Sequence, residues 1–164
     1  LRSVETAQVA SRELSWRRRP KLQELDSLAE IDFGNVEGAK VREFRRELGT
    51  LYANWSMGKL DARMMEGGGS GESGREVLDR VHRALSTLEK MAFEMTNDRT
   101  IVGVSHSSFL RFLLASVSEQ PLLLTAIQKI GNCSVSVVDL EQNNSTKGRV
   151  LRINEEGHLA SLTS

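Results

Sequence analysis

A histidine stands where a short apolar run changes its periodicity. Ile101-Val102-Gly103-Val104 is apolar and rich in β-branched residues, Ser105-His106 ends it, and Phe109, Leu110, Phe112 and Leu113 then follow at helical spacing. The pattern predicts a strand with His106 at its carboxyl end, followed at once by a helix. Open α/β sheets bind ligands in the crevice outside the carboxyl ends of their strands. The first N–H groups of the following helix, from Ser107 and Ser108, are there for an anion. An imidazole beside such a terminus points to phosphate chemistry. Taken alone, the same residues also fit a plain strand-end histidine and two N-capping serines.

Composition narrows the setting. A chain of 164 residues, 39% hydrophobic, is one domain with an ordinary core. The 22 basic residues balance 22 acidic ones, so no net field draws in nucleic acid or an acidic membrane, and neither is expected as a partner. Cys133 is the one cysteine, which excludes an internal disulfide. His82, His106 and His158 show no metal-ligand spacing, so neither a metal nor another cofactor is expected. No apolar run approaches the ~20 residues of a membrane span. The sequence opens at Leu1, directly in helix-like residues with no leader pattern. We therefore expect an N-terminally incomplete domain; its location does not follow from the missing leader, and the expectation is the cytoplasm.

The elements that must position His106 follow from periodicity and punctuation. Thr6 to Leu14 reads as a helix stopped by Pro20, with Arg17 to Arg19 as a solvated basic end. Lys21 to Asp26 reads as a short strand leading into the carboxylate-rich loop from Ser27 to Gly38. Val41 to Leu60, with Phe44, Leu48, Leu51, Tyr52 and Trp55, reads as one or two helices covering the sheet, within a cap of about residues 41–72. The glycine-dense stretch Glu66 to Gly74 has no Gly-Lys-Ser/Thr ending and is no P-loop. It precedes a helix from about Arg75 to Met95, capped by Ser73, with a buried stripe of Val77, Val81, Leu85, Leu88 and Phe93. A helix around Pro121 to Ile130 follows, then a strand from Ser134 to Leu140, a turn from Gln142 to Gly148, and a hairpin partner from Val150 to Asn154.

Several short patterns occur in one order along the chain. They are Arg2-Ser3-Val4-Glu5-Thr6-Ala7; Leu28-Ala29-Glu30-Ile31-Asp32-Phe33-Gly34-Asn35-Val36-Glu37-Gly38; Gly71-Glu72-Ser73 followed by Arg80-Val81; and Val104-Ser105-His106. Asn132 before the valine-rich strand, and Asn154 with His158-Leu159, extend the series. Together they resemble the histidine phosphatase superfamily, the phosphoglycerate mutase-like family, over nearly the whole chain. Glu5 stands at the family's Gln position, Val36 where an aromatic is usual, and Ser107 where glycine is common.

The resemblance implies an α/β fold: a three-layer sandwich with a mostly parallel central sheet flanked by helices, here lacking the first, central strand. It implies that Arg2 clamps phosphate oxygens and that His106 holds the transferring phosphoryl group from the other side. The N–H of Ser107 would bind the substrate beside them, and Glu30 would be the general acid. Forked, charge-assisted donors around the equatorial oxygens suit the charge of a phosphoryl transition state. Glu30 must hold a proton to give it to a leaving alkoxide, which a phosphate dianion alongside favours. Glu37 corresponds more to a residue that fixes the loop. His82 is read as a surface residue and His158 as a structural one.

One part of the family pattern is missing. Its nucleophile is the histidine of an Arg-His-Gly motif, and no Arg-His or His-Gly pair occurs in this sequence. Three functions are compatible with that: a metal-independent phosphatase of small phosphorylated metabolites whose phosphohistidine forms outside these residues, a phosphoglycerate mutase-type phosphoryl transferase, and a non-catalytic module that binds phosphate or a partner protein.

Overall fold

The computed structural model describes residues 2–13, 21–34, 41–64, 71–94, 100–121, 123–127, 129–141 and 144–162. In chain order the elements are α1 (Arg2–Glu13), a 3-10 turn (Asp26–Leu28), α2 (Val41–Ser56), α3 (Gly74–Glu94), α4 (Ser107–Val117), the short α5 (Leu123–Ala126), the hairpin β1 (Val135–Glu141) and β2 (Asn144–Glu155), and a closing 3-10 helix (Gly157–Leu162).

Helix α4 lies at the centre because it is apolar almost all round. Phe109, Phe112, Leu113, Leu114, Ala115 and Val117 are all buried, and a helix without a polar face can only sit inside. Helix α3 covers one side of it with Val77, Val81, Ala84 and Leu85, which follow the expected stripe. Its last turn departs from that stripe: Phe93 is 74% exposed, since the helix runs on past the packed core. Helix α2 presents Leu51, Tyr52 and Trp55, and Trp55 meets the rings of Tyr52 and Phe112 edge-on with centroids 5.4 and 5.3 Å away. One helix thus spans most of the expected 41–60 stretch. Gly74 admits it closely, for a Cβ there would lie 2.5 Å from Cδ1 of Trp55.

Helix α3 starts as expected at Ser73. The Ser73 N–H and hydroxyl both donate to Glu76 Oε2 at 2.7 Å, and Glu76 N–H returns a bond to Ser73 Oγ at 3.3 Å. This reciprocal capping box satisfies N–H groups that the first helical turn leaves without partners.

The chain is α/β, but its sheet differs from the expected one. Among the described residues the one sheet is β1 paired antiparallel with β2, with Val137 opposite Arg152 and Val138 opposite Val150. Strand β2 begins at Asn144 rather than Val150, so the ladder takes in residues expected in the turn. The helix expected from Pro121 to Ile130 is a single turn at α5. Lys21–Leu25 and Ile101–His106 run without helix or strand, and no neighbour makes a ladder with either among the described residues. Val102 is 83% exposed, and a Cβ at Gly103 would meet nothing within 4 Å. A parallel strand needs a ladder of hydrogen bonds to a partner about 4.8 Å away, and no described residue makes one.

Candidate active site

The site grows from the start of α4. His106 is its N-cap, with extended backbone (φ −120°, ψ 155°), and its carbonyl accepts the first helical bond from Leu110 N–H at 2.9 Å. Its ring makes no capping bond, so the half-buried imidazole is not used up in holding the helix. Ser105, one residue earlier, donates its hydroxyl to Leu28 O at 2.7 Å and ties this segment to the loop that carries Glu30.

Glu30 reaches the same helix terminus. Its Oε1 accepts from its own neighbour Ile31 N–H at 3.0 Å and from Phe109 N–H at 3.1 Å. A carboxylate on the third N–H of α4 satisfies one orphan donor and sits at the positive end of the helix dipole. Glu30 and His106, 76 positions apart in sequence, are thus held at one helix end. Ser107 is fixed from the other side, where its Oγ accepts from Ile130 N–H at 3.1 Å and keeps its own proton to give.

What holds Glu30 in place is Arg80. Its guanidinium forms a fork with Glu72, at 2.9 Å from Nε to Oε1 and 2.7 Å from Nη2 to Oε2. It also donates to the carbonyls of Ser27, Ala29 and Glu30 at 3.2, 2.7 and 3.2 Å. The same group lies 4.8 Å from the centroid of the Phe109 ring. Glu72 completes the clasp by accepting from Asp32 N–H at 2.9 Å, while its own N–H donates to Asp32 O at 2.7 Å. Gly71 is required beneath it, since a Cβ there would come within 2.6 Å of Asp32 O. The Gly-Glu-Ser and Arg-Val patterns therefore serve to hold the Glu30 loop and to cap α3.

Tyr52 and Arg111 were not singled out by sequence reasoning. Arg111 is a buried cation, 8% exposed, whose guanidinium stacks 3.8 Å from the Tyr52 ring centroid and donates to Leu124 O. Burial pushes the Tyr52 hydroxyl above the usual tyrosine value, against the pull of Ser108 and Arg111, while the charge of Glu30 adds to the rise. Burial likewise lowers Arg111, against the pull of Tyr52. A lone charge on an otherwise apolar helix was the available signal.

Arg2 is exposed on α1, and among the described residues no hydrogen bond or ion pair joins its side chain to Glu30 or His106. His82 is half-buried rather than on the surface, with Nε2 3.3 Å from Ser116 Oγ on α4. His158 Nε2 lies 2.9 Å from Cys133 O, and Asn154, at φ 54°, accepts from Gly131 N–H at 2.6 Å; both staple the hairpin end to the loop behind Ser107. Arg17 to Arg19, Val36, Glu37 and the glycines from 67 to 69 lie outside the described residues. Among the described residues no three His, Cys, Asp or Glu side chains form a metal-ligating group, and no helix is long and apolar enough to cross a membrane.

Comparison with known proteins adds the family. The solved structure of open reading frame Rv3214 from Mycobacterium tuberculosis superposes with a TM-score of 0.61 at 22% identity, covering 93% of this chain and 67% of that one, which speaks for a shared fold. Comparison with curated proteins gives no match. The profile of the histidine phosphatase superfamily (branch 1) matches residues 1–155, and with the helix terminus that joins His106 to Glu30 it places the chain in that superfamily, whose chemistry is phosphoryl transfer of the phosphatase or mutase type.

Proposed function

We propose that these residues form the phosphate-binding and proton-donating part of a metal-independent phosphatase acting on small phosphorylated metabolites. The observation that carries this reading is the meeting of Glu30 and His106 at the start of α4. A phosphoryl group there receives backbone N–H donors from Ser107 and Ser108, the His106 ring N–H, and the field of the helix end. Arg2 closes on the phosphate from α1 when substrate binds. As the ester bond breaks, the leaving oxygen takes the proton of Glu30. The phosphoryl group passes to a histidine of an Arg-His-Gly segment outside these 164 residues, within a mostly parallel three-layer sheet that such a strand would complete, and water then releases it.

The short cap of about residues 41–72 favours hydrolysis over the mutase reaction. A second reading, a phosphate-binding module without turnover, is favoured by the absence of any Arg-His or His-Gly pair from the sequence.

The intact mass of the native protein, compared with the 18.2 kDa of this chain, separates the two readings. A heavier protein that hydrolyses phosphomonoesters, traps an acid-labile phosphohistidine on quenching, and loses about 10²-fold or more in rate upon His106→Ala supports the enzyme. Binding of phosphate without turnover supports the module. Turnover indifferent to His106→Ala overturns the assignment of this site.

A further inference from the structure

Arg111 is a charge without a counter-charge. It is buried in the core beside Phe112 and Leu114, and among the described residues no carboxylate comes within ion-pair distance of it. Its contacts are neutral, a carbonyl at Leu124 and the ring of Tyr52, and its Nε is buried with no hydrogen-bond partner among the described residues. A buried ion left in this state is costly, and an anion that arrives from solution would relieve the cost.

The place where such an anion would arrive is close by. Arg111 shares a helix face with Ser107 and Ser108, and lies about 6 Å along the axis from Ser107. Side chains on a helix lean towards its N-terminus, which for Arg111 is the direction of the His106 turn. Tyr52, on which it stacks, senses its charge directly.

We propose that Arg111 is a positioning residue for the anion site: its buried guanidinium, stacked on Tyr52 about one helical turn from Ser107, supplies the positive charge that a phosphoryl dianion at the start of α4 neutralises. The inference rests on the reading of that terminus as the phosphate site. It adds a residue that touches no substrate yet sets how tightly the dianion is held.

Inorganic phosphate is the probe, with binding followed by calorimetry on the native protein, on Arg111→Met and on Arg111→Lys. Met keeps the volume and loses the charge, whereas Lys keeps the charge and loses the stacking. The expected result is about tenfold weaker binding for Arg111→Met, with most of the affinity retained by Arg111→Lys. Tyr52 is the one tyrosine of these residues, so phenolate absorbance offers a readout that needs no variant and follows it directly where these residues hold the protein's tyrosine. Saturating phosphate should raise the pH at which Tyr52 ionises, because a second negative charge then competes for Arg111. Failure of the native protein to bind phosphate sinks the site and this inference together. Binding that is equal in Arg111→Met, or that leaves the Tyr52 titration unmoved, overturns the role of Arg111 alone.

Discussion

Glu30 has two duties, accepting from Ile31 and Phe109 at Oε1 in the resting structure and donating a proton to a leaving group in the proposed reaction. Glu30→Gln separates them. The amide oxygen can still accept both N–H bonds, so the loop and the start of α4 keep their geometry, but no acidic proton remains. With alkyl phosphate esters, kcat of the native protein should fall about 10²- to 10⁴-fold. With nitrophenyl phosphate, whose leaving group needs no proton, it should change little. Steady-state rates on the two ester classes measure the contrast, and equal losses on both would show that Glu30 is structural. His106 poses a different residue-scale question, because its backbone caps α4 while its ring makes no capping bond. His106→Asn therefore keeps a good N-cap residue, and any loss of phosphate affinity at unchanged melting temperature belongs to the ring.

At the scale of elements, α3 does two jobs from neighbouring residues. Its cap at Ser73 and Glu76 starts the helix, and its Arg80 clasps the loop that carries Glu30. The backbone and hydroxyl of Ser73, then Arg63, hold the Glu76 carboxyl down at about 2. A carboxylate lowered by folding adds stability that is whole above its unfolded value near 4.5 and is lost as pH falls through the folded one. Glu76→Gln should thus cost about 1 kcal/mol near neutrality, an amount kept modest by the exposure of the side chain, and the difference should close between about pH 4.5 and 2. Thermal melts of both proteins across that range test it. The Arg80 clasp is less exposed, at 12% for Arg80 and 21% for Glu72. Arg80→Met should cost about 3 kcal/mol and weaken catalysis as well, because Glu72 and three carbonyls lose their donor together. Denaturant titration beside a rate assay measures both. Much at this scale was legible beforehand: α3 with its cap, the buried stripe through Leu85, α4 after His106, and the existence of a hairpin all follow from local spacing and capping chemistry. The pairing of Glu30 with α4 was implied by family resemblance alone, since a contact across 79 positions leaves no local periodicity. The expected parallel sheet is not seen among the described residues, and its pairing was no more legible locally. An apolar β-branched run such as Ile101 to Val104 declares a preference for extended backbone, while pairing depends on what stands beside it.

At the scale of the whole molecule, that run, unpaired among the described residues, presents an open edge. The main-chain groups of Ile101 to Val104 bond to no described residue, and Val102 stands beside them at 83% exposure. An extended, apolar edge with free N–H and C=O groups is a template for pairing with another chain. Exposed apolar side chains elsewhere, such as Leu151 and Ile153 on β2 at 52% and 37%, belong to a strand already paired on one side with β1. Association of this 164-residue chain at high concentration should therefore run through the edge. Val102→Lys tests this at little risk to the fold, because an exposed substitution of this kind usually changes stability by about 0.5 kcal/mol or less. A lysine on an edge is also a device by which natural sheets block such pairing. Sedimentation velocity on a concentration series of the two proteins should show the weight-average size of the unmodified chain rising while that of the variant stays flat. A flat series for Leu151→Lys with a rising one for Val102→Lys would move the contact to β2 instead. With the edge responsible, an extended peptide of alternating apolar residues added in excess should suppress self-association of the unmodified chain, and it should do nothing to the small remainder left in Val102→Lys.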